Sequence, residues 1–246
     1  MTWDDSVSFA ACAVSKEKGC RRVTLTGADA ALACWRNQVE GIIFDFGGVI
    51  ATGIGEALDG LVEAYGADRS LSPERLEKVW QSLYTEASLG HIRPDELWGK
   101  FRQRIDLGSL SVGREELEFL SRIHQREPGI AQTLAQLKKR YRVGLLSNHI
   151  GPWVRALLQR FELRPYFQAV VVSSEIGARK PDRLPYIRIC QLLQVAPERS
   201  VYVADEEEDL IGCQAVGMLP VFIPGEDVST SIGLHIRKVS DLLSMW

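Results

Sequence analysis

Hydrophobic positions in this chain follow two rhythms that take turns. The run GIIF at 41–44 is apolar throughout, short and rich in β-branched and aromatic side chains. That pattern suits a strand buried on both faces of a parallel sheet. Similar runs return in RVGLLSN (142–148), AVVVSS (169–174), SVYVAD (200–205) and LPVFI (219–223). Between them lie GIAQTLAQLKKRY, GPWVRALLQRF, LPYIRICQLLQ and DLIGCQAVG, whose apolar residues recur at three- and four-residue spacing, as on one face of a helix. Strand and helix in alternation predict βαβ units, hence a three-layer α/β fold with a parallel sheet between helices. One block breaks the rhythm. After the first strand the chain reads as helix upon helix, through IGEALDGLVEAYG, PERLEKVWQSLYTEASLG, RPDELWGKFRQRI and REELEFLSRIHQ. Pro73 and Pro94 fall where first-turn prolines belong. This stretch predicts an all-α insertion over one end of the sheet. The resulting division is 39–52 with 127–246 as the sheet domain and 53–126 as the helical one.

Residues 1–38 share neither rhythm. VTLTG at 23–27 suits a short strand and the alanine-rich 28–38 a short helix, but no sustained period links them. They read as an N-terminal extension, loosely attached. The opening MTWDDSVSFAACAV is acidic and its apolar run short, unlike a signal peptide. Five widely spaced cysteines, Cys12, Cys20, Cys34, Cys190 and Cys213, resemble neither a disulfide framework nor a zinc site. Reduced thiols in a cytoplasmic protein are the expectation. A net charge of −3 without a basic stripe argues against a nucleic-acid partner. No apolar stretch is long enough to span a bilayer. The composition, 46% hydrophobic and 25% charged over 246 residues, allows a full core without covalent staples.

Ligands of open parallel sheets bind beyond the carboxyl ends of the strands. Those ends carry a distinctive set. The first strand ends in Asp45, the second in Ser147 and Asn148 followed by His149. The third leads through SSEIGARKP to Lys180, and the fourth ends in Asp205 with Asp209 four positions on. Singly, each has a bland reading as a turn, a cap or a solvated charge. Together they would bring three carboxylates, a hydroxyl and an ammonium to one rim. Clustered carboxylates bind a hard cation such as Mg²⁺ through oxygen. The cation, a lysine and a hydroxyl can hold phosphoryl oxygens, while one carboxylate attacks phosphorus. His149 reads as a rim or packing histidine, and Trp80 and Trp98 as packing within the helical block.

In the same order, IIFDFGGVI, LLSN, SSEIGARKPD and VYVADEEEDLIGCQAVGM resemble the four motifs of the haloacid dehalogenase-like hydrolases. GHIRPDELW is similar to cap-helix sequences of the branch whose helical cap follows the first motif. The resemblance, from about Val39 to Pro224, implies a Rossmann-like core with an inserted all-α cap domain. It implies Asp45 as nucleophile, Ser147 and Asn148 on the substrate, and Lys180 as the neutralising cation. Asp45, the Gly47 carbonyl and Asp205 would hold Mg²⁺, with Asp209 orienting or supplementing that shell. The implied activity is hydrolysis of a small phosphorylated metabolite through an aspartyl-phosphate. Phosphatases of this family usually carry a second aspartate two residues after the nucleophile, and here that position is Gly47. General acid–base help contributes typically 10²–10⁴-fold, so the resemblance also leaves open a non-catalytic binding or regulatory domain. A 2-haloacid dehalogenase fits less well, since Asp205 and Asp209 would repel a haloacid carboxylate.

Overall fold

The computed structural model describes residue 35 and residues 38–55, 57–59, 72–105, 115–224 and 230–245. The predicted strand at 23–27, most of the predicted helix at 28–38 and part of that at 54–66 lie outside them. Six parallel strands form one sheet: β1 (Gly41–Phe44), β2 (Arg142–Ser147), β3 (Ala169–Val172), β4 (Ser200–Ala204), β5 (Leu219–Phe222) and β6 (Leu234–His235). Their spatial order is β3-β2-β1-β4-β5-β6. The chain therefore starts in the middle and winds outward both ways, with the reversal of direction beside β1. Register aligns Phe44 with Leu145 on one side and with Val203 on the other. The sheet's carboxyl edge is thus level at the three central strands.

Alternate residues of each strand point to opposite faces, and the core divides accordingly. Ile42, Phe44, Val143, Leu145, Val201 and Val203 belong to one cluster; Ile43, Leu146, Tyr202 and Ala204 belong to the other. The first face is covered by α4 (Ile130–Leu137) and α5 (Gly151–Arg160), the second by α7 (Arg183–Leu193) and α8 (Glu207–Gln214). Pro220 lies inside β5, where a proline ordinarily breaks pairing. Here β6 pairs only with Val221 and Phe222, so that edge demands no donor from Pro220. The two-residue β6 and a closing 3₁₀ turn at Val239–Ser244 carry no periodic signal in the sequence. AVVVSS is also shorter as a strand than its apolar run suggests. Ser173 and Ser174 open the one-turn helix α6 (Ser173–Ile176).

Three helices of the inserted block are described: α1 (Pro73–Ser88), α2 (Pro94–Arg104) and α3 (Glu115–Ser121). Ser72 caps α1, its hydroxyl accepting from the Arg75 amide, and Pro73 and Pro94 open α1 and α2. The chain leaves and returns through paired backbone: the Thr52 amide donates to the His124 carbonyl, and the Arg126 amide to that of Ile50. An aromatic cluster binds the insertion to the sheet domain. Trp153 of α5 stacks on Trp80 of α1 with centroids 6.4 Å apart, and on Trp98 of α2 at 6.1 Å. Phe119 of α3 completes the contact at 5.3 Å. Trp98 is therefore packing, as its place in the helical pattern predicts. Trp80 is fully buried in the same cluster and also borders the cavity described next.

Candidate active site

Asp45 follows β1 directly and stays within the sheet's hydrogen bonding through its amide, which donates to the Val203 carbonyl at 2.9 Å. Its side chain is 10% exposed. Asp45 Oδ1 accepts from the Phe46 amide at 2.6 Å, and Oδ2 lies 2.7 Å from Lys180 Nζ. The same ammonium reaches Asp209 Oδ2 at 2.5 Å and donates to Tyr202 Oη at 2.7 Å. Three protein acceptors thus take all three lysine protons in a site where the lysine side chain is 1% exposed. Burial alone would lower the Lys180 ammonium; Asp45 and Asp209 overcome it and hold it charged well above the ordinary lysine range. Burial pushes the Asp45 carboxyl upward, Lys180 opposes, and Asp209 and Asp205 add to the rise.

Lys180 arrives on a loop that Asn148 braces from the end of β2. Asn148 Oδ1 accepts from the Lys180 amide at 2.8 Å, and Nδ2 donates to the Lys180 carbonyl at 3.0 Å. Where the sequence suggests substrate contact for Asn148, the structure has both polar atoms of its carboxamide engaged with the lysine backbone. Ser147 borders the cavity without such an engagement.

Asp205 sits at the end of β4 against Gly48. A β-carbon there would come within 1.8 Å of Asp205 Oδ2, and Gly48 has φ of +68°. Glycine is required on both counts. A β-carbon at Gly47 would meet nothing within 4 Å. Asp45, Gly47, Gly48, Ser147, Asn148, Lys180 and Asp205 all line one cavity of about 310 Å³. Asp209 does not line it; it stands behind Lys180, 2% exposed.

Cap residues close the other side. Trp80, Gln81 and Tyr84 of α1 line the cavity with Ile54 and Leu58, and Tyr84 Oη donates to the Asn148 carbonyl at 3.2 Å. His149 also lines it, enclosed by the rings of Phe46, Tyr84 and Trp153. Its Nδ1 accepts from the Ile150 amide at 2.7 Å, which leaves the proton on Nε2. Burial lowers its pKa to about 3, so the ring is neutral at physiological pH.

Sequence reasoning missed Tyr84, Arg179, Tyr202 and Glu206 in or around this site. Only Tyr202 carries a local sign: a tyrosine inside an otherwise apolar buried strand needs a partner for its hydroxyl. Tyr84 comes close to the site only through the cap's tertiary placement.

For a divalent cation, the donor chemistry is hard oxygen. Among the described residues no group of three or more His, Cys, Asp or Glu side chains could hold a metal by itself, because Lys180 holds Asp209 on the far side. Of the oxygen donors expected from the sequence, Asp45 and Asp205 line the cavity together with Gly47, a set with two carboxylates. That set suits Mg²⁺, which keeps several waters and takes one or two carboxylates plus substrate phosphate. It does not suit a softer metal. Burial raises the Asp205 carboxyl, against a backbone hydrogen bond and the pull of Lys180 and Arg126, and Asp209 adds to the rise, as crowding of acids does.

Residues 42–223 match the haloacid dehalogenase-like hydrolase family, and the chain belongs to it. The chain is 23% identical over 237 residues to a phosphoglycolate phosphatase of Shigella sonnei, covering 84% of this chain and 92% of the relative. It is 28% identical over 173 residues to a glyceraldehyde 3-phosphate phosphatase of Methanopyrus kandleri, covering 68% and 73%. Among solved structures it is similar to a HAD phosphatase from Thermococcus onnurineus (TM-score 0.63, 22% identity, 84% and 97% covered). It is also similar to L-2-haloacid dehalogenase from Xanthobacter autotrophicus (TM-score 0.62, 17% identity, 84% and 98% covered). These structural likenesses establish the fold, a parallel sheet with an inserted helical cap. Both reactions are found on that fold, so the choice between them falls to the site.

Proposed function

We propose that the protein is a Mg²⁺-dependent phosphatase acting on a small phosphorylated metabolite through an aspartyl-phosphate on Asp45. The observation that carries this reading is the placement of Asp45 2.7 Å from a buried lysine, on a cavity shared with Asp205. In a dehalogenase the carboxylate of the haloacid itself would enter a cavity already lined by Asp45, Asp205 and Glu206, an anion meeting anions in a site of low dielectric. A phosphoryl transfer with a divalent cation present turns that surplus to use. Bound Mg²⁺ would supply charge neutralisation for phosphoryl oxygens, held by Asp45, Asp205 and the Gly47 carbonyl. Asp45 attacks phosphorus as the alkoxide leaves, and water then attacks the aspartyl-phosphate and releases inorganic phosphate. Lys180 opposes the burial that disfavours the Asp45 carboxylate and holds it in place. Asp209, Tyr202 and Asn148 act through Lys180 as positioning residues. Ser147 donates to a phosphoryl oxygen, and the cap side chains exclude water. The phosphatases among the curated relatives agree with this reading.

The observation favouring a binding domain instead is Gly47, where no side chain stands ready to protonate the leaving oxygen. One assay separates the two. Wild type should hydrolyse p-nitrophenyl phosphate, whose leaving group needs no protonation, in Mg²⁺ but not in EDTA, and Asp45→Asn should abolish turnover. Hydrolysis that survives Asp45→Asn sinks the proposal, and absence of turnover in wild type turns the balance to the binding domain.

A further inference from the structure

Among the described residues that line the cavity, only His149 holds a buried polar side-chain atom without a hydrogen-bond partner. That atom is Nε2, and it carries the ring's proton, since Nδ1 accepts from the Ile150 amide. Three aromatic rings enclose the imidazole, with centroids 6.1 Å away for Phe46, 5.7 Å for Tyr84 and 5.9 Å for Trp153. Phe46 and Trp153 belong to the sheet domain, as His149 does, whereas Tyr84 stands on α1 of the insertion. Hydrogen bonds tie α1 to the same place. Tyr84 Oη donates to the Asn148 carbonyl, and Ser173 Oγ, 3.3 Å from the His149 carbonyl, donates at 2.5 Å to the carbonyl of Ser88, the last residue of α1. The insertion thus closes on His149 and seals Nε2 from water. Among the described residues no carboxylate lies within ion-pair distance of the ring. Tyr84 faces it with a hydroxyl that burial keeps protonated, and Glu175 of α6 is engaged by Arg155 of α5. Asp45, Arg179, Lys180, Asp205 and Glu206 share the cavity, yet it is burial that lowers the pKa of the ring.

We propose that His149 is a pH-sensitive latch for the cap, letting α1 close on it when neutral and holding that seam open when protonated. The device acts on the cap whatever reaction the cavity carries. An imidazolium donates from both nitrogens. The closed seam offers Nε2 no acceptor, and at Nδ1 it presents the Ile150 amide, so that a protonated ring would set donor against donor. A ring with a pKa of about 3 in the closed seam and about 6.5 in water takes up its proton far more readily once the seam opens. Closure is therefore unopposed above about pH 6.5 and is progressively lost as the pH falls from there toward about 3. Between about pH 7.5 and about pH 5 the ratio of open to closed chains should rise about thirtyfold.

Solvent exchange of the buried Trp153 indole N–H, followed by NMR, measures the opening without turnover. A rigid swing of the cap uncovers that group even when every helix stays folded. Corrected for the intrinsic pH dependence of exchange, the opening equilibrium of the wild-type chain should rise about thirtyfold between those two pH values. His149→Gln and His149→Phe cannot take up the proton, and each should hold the change to within about twofold. Glu116 titrates at the same seam, where burial raises its carboxyl against the pull of the Trp153 and Trp98 indole N–H groups, and the two His149 variants separate its effect. A wild-type opening that does not change with pH, or a rise that survives in both variants, overturns the proposal. Histidine-selective NMR of the wild type keeps the test independent of how those variants fold. The His149 ring should titrate well below about 6.5, and Tyr84→Ala, which removes the insertion's ring, should move it back toward that value. A wild-type ring that already titrates near about 6.5, or one that Tyr84→Ala leaves unmoved, means that the cap does not seal His149 and ends the assignment.

Discussion

Two adjacent glycines do opposite work at the mouth of this site. Gly48 is held by φ of +68° and by Asp205, with no room for a side chain. Gly47 has open space where a β-carbon would go, and its backbone is not in the left-handed region. A side chain at 47 is therefore sterically free, and its absence is a matter of chemistry. Gly47→Asp should accommodate the new carboxyl without rearrangement and place it at the cavity that holds Asp45. For an alkyl phosphate, whose leaving group is poor, kcat should rise at least tenfold toward the roughly 10²–10⁴-fold typical of general acid–base help. For p-nitrophenyl phosphate it should change far less. A variant that folds normally but is no faster on alkyl phosphates would mean that proton transfer is not what limits the wild type.

The elements of the sheet domain were legible because burial in a parallel sheet leaves an unbroken apolar run, and a polar residue ends each run at the rim. That logic located Asp45, Ser147, Lys180 and Asp205 around one cavity from residues far apart in the chain. It could not see that Asn148 braces the lysine loop or that Asp209 stands behind Lys180, since both depend on how loops fold back beyond the strand ends. Nor could periodicity say which cap face meets the site. Trp80 and Tyr84 lie four residues apart on α1 and both line the cavity, but helical spacing assigns them only to a common face. The seam between cap and core is a tertiary fact as well. Trp153 reads in sequence as the apolar side of α5, yet it packs among Trp80, Trp98 and Phe119 of the insertion. Trp153→Ala should cost about 3–5 kcal/mol of stability, as for other buried aromatics cut to alanine. It should also raise KM more than it lowers kcat, because the seam it opens sets the cap's position while Asp45 and Lys180 are held from the sheet. Urea denaturation and steady-state kinetics would check the two effects. A kcat loss without a KM change would place Trp153 in the chemistry instead.

At the scale of the whole molecule, folding itself assembles the charge that the reaction needs. Asp45 stands about 160 residues from Asp205 and Asp209 in the chain; folding brings Asp45 and Asp209 onto one ammonium and Asp205 onto the same cavity as Asp45. Crowded, partly desolvated carboxylates oppose folding. A divalent cation that binds only the assembled site removes that opposition, and it adds stability by mass action. At a Mg²⁺ concentration about a hundred times Kd the gain is about 2.7 kcal/mol. For a chain of this size that corresponds to a rise in Tm of about 5–10 °C. Scanning calorimetry in EDTA and in rising Mg²⁺ should show this increase, saturating as the site fills. Asp205→Asn removes one of the two carboxylates proposed to hold the cation. In EDTA it should melt no lower than wild type, since repulsion falls, while losing most of the Mg²⁺-dependent rise. If Mg²⁺ leaves the wild-type Tm unmoved, or if Asp205→Asn responds as wild type does, the acids at the rim do not form a magnesium site, and Asp45 must be read without one.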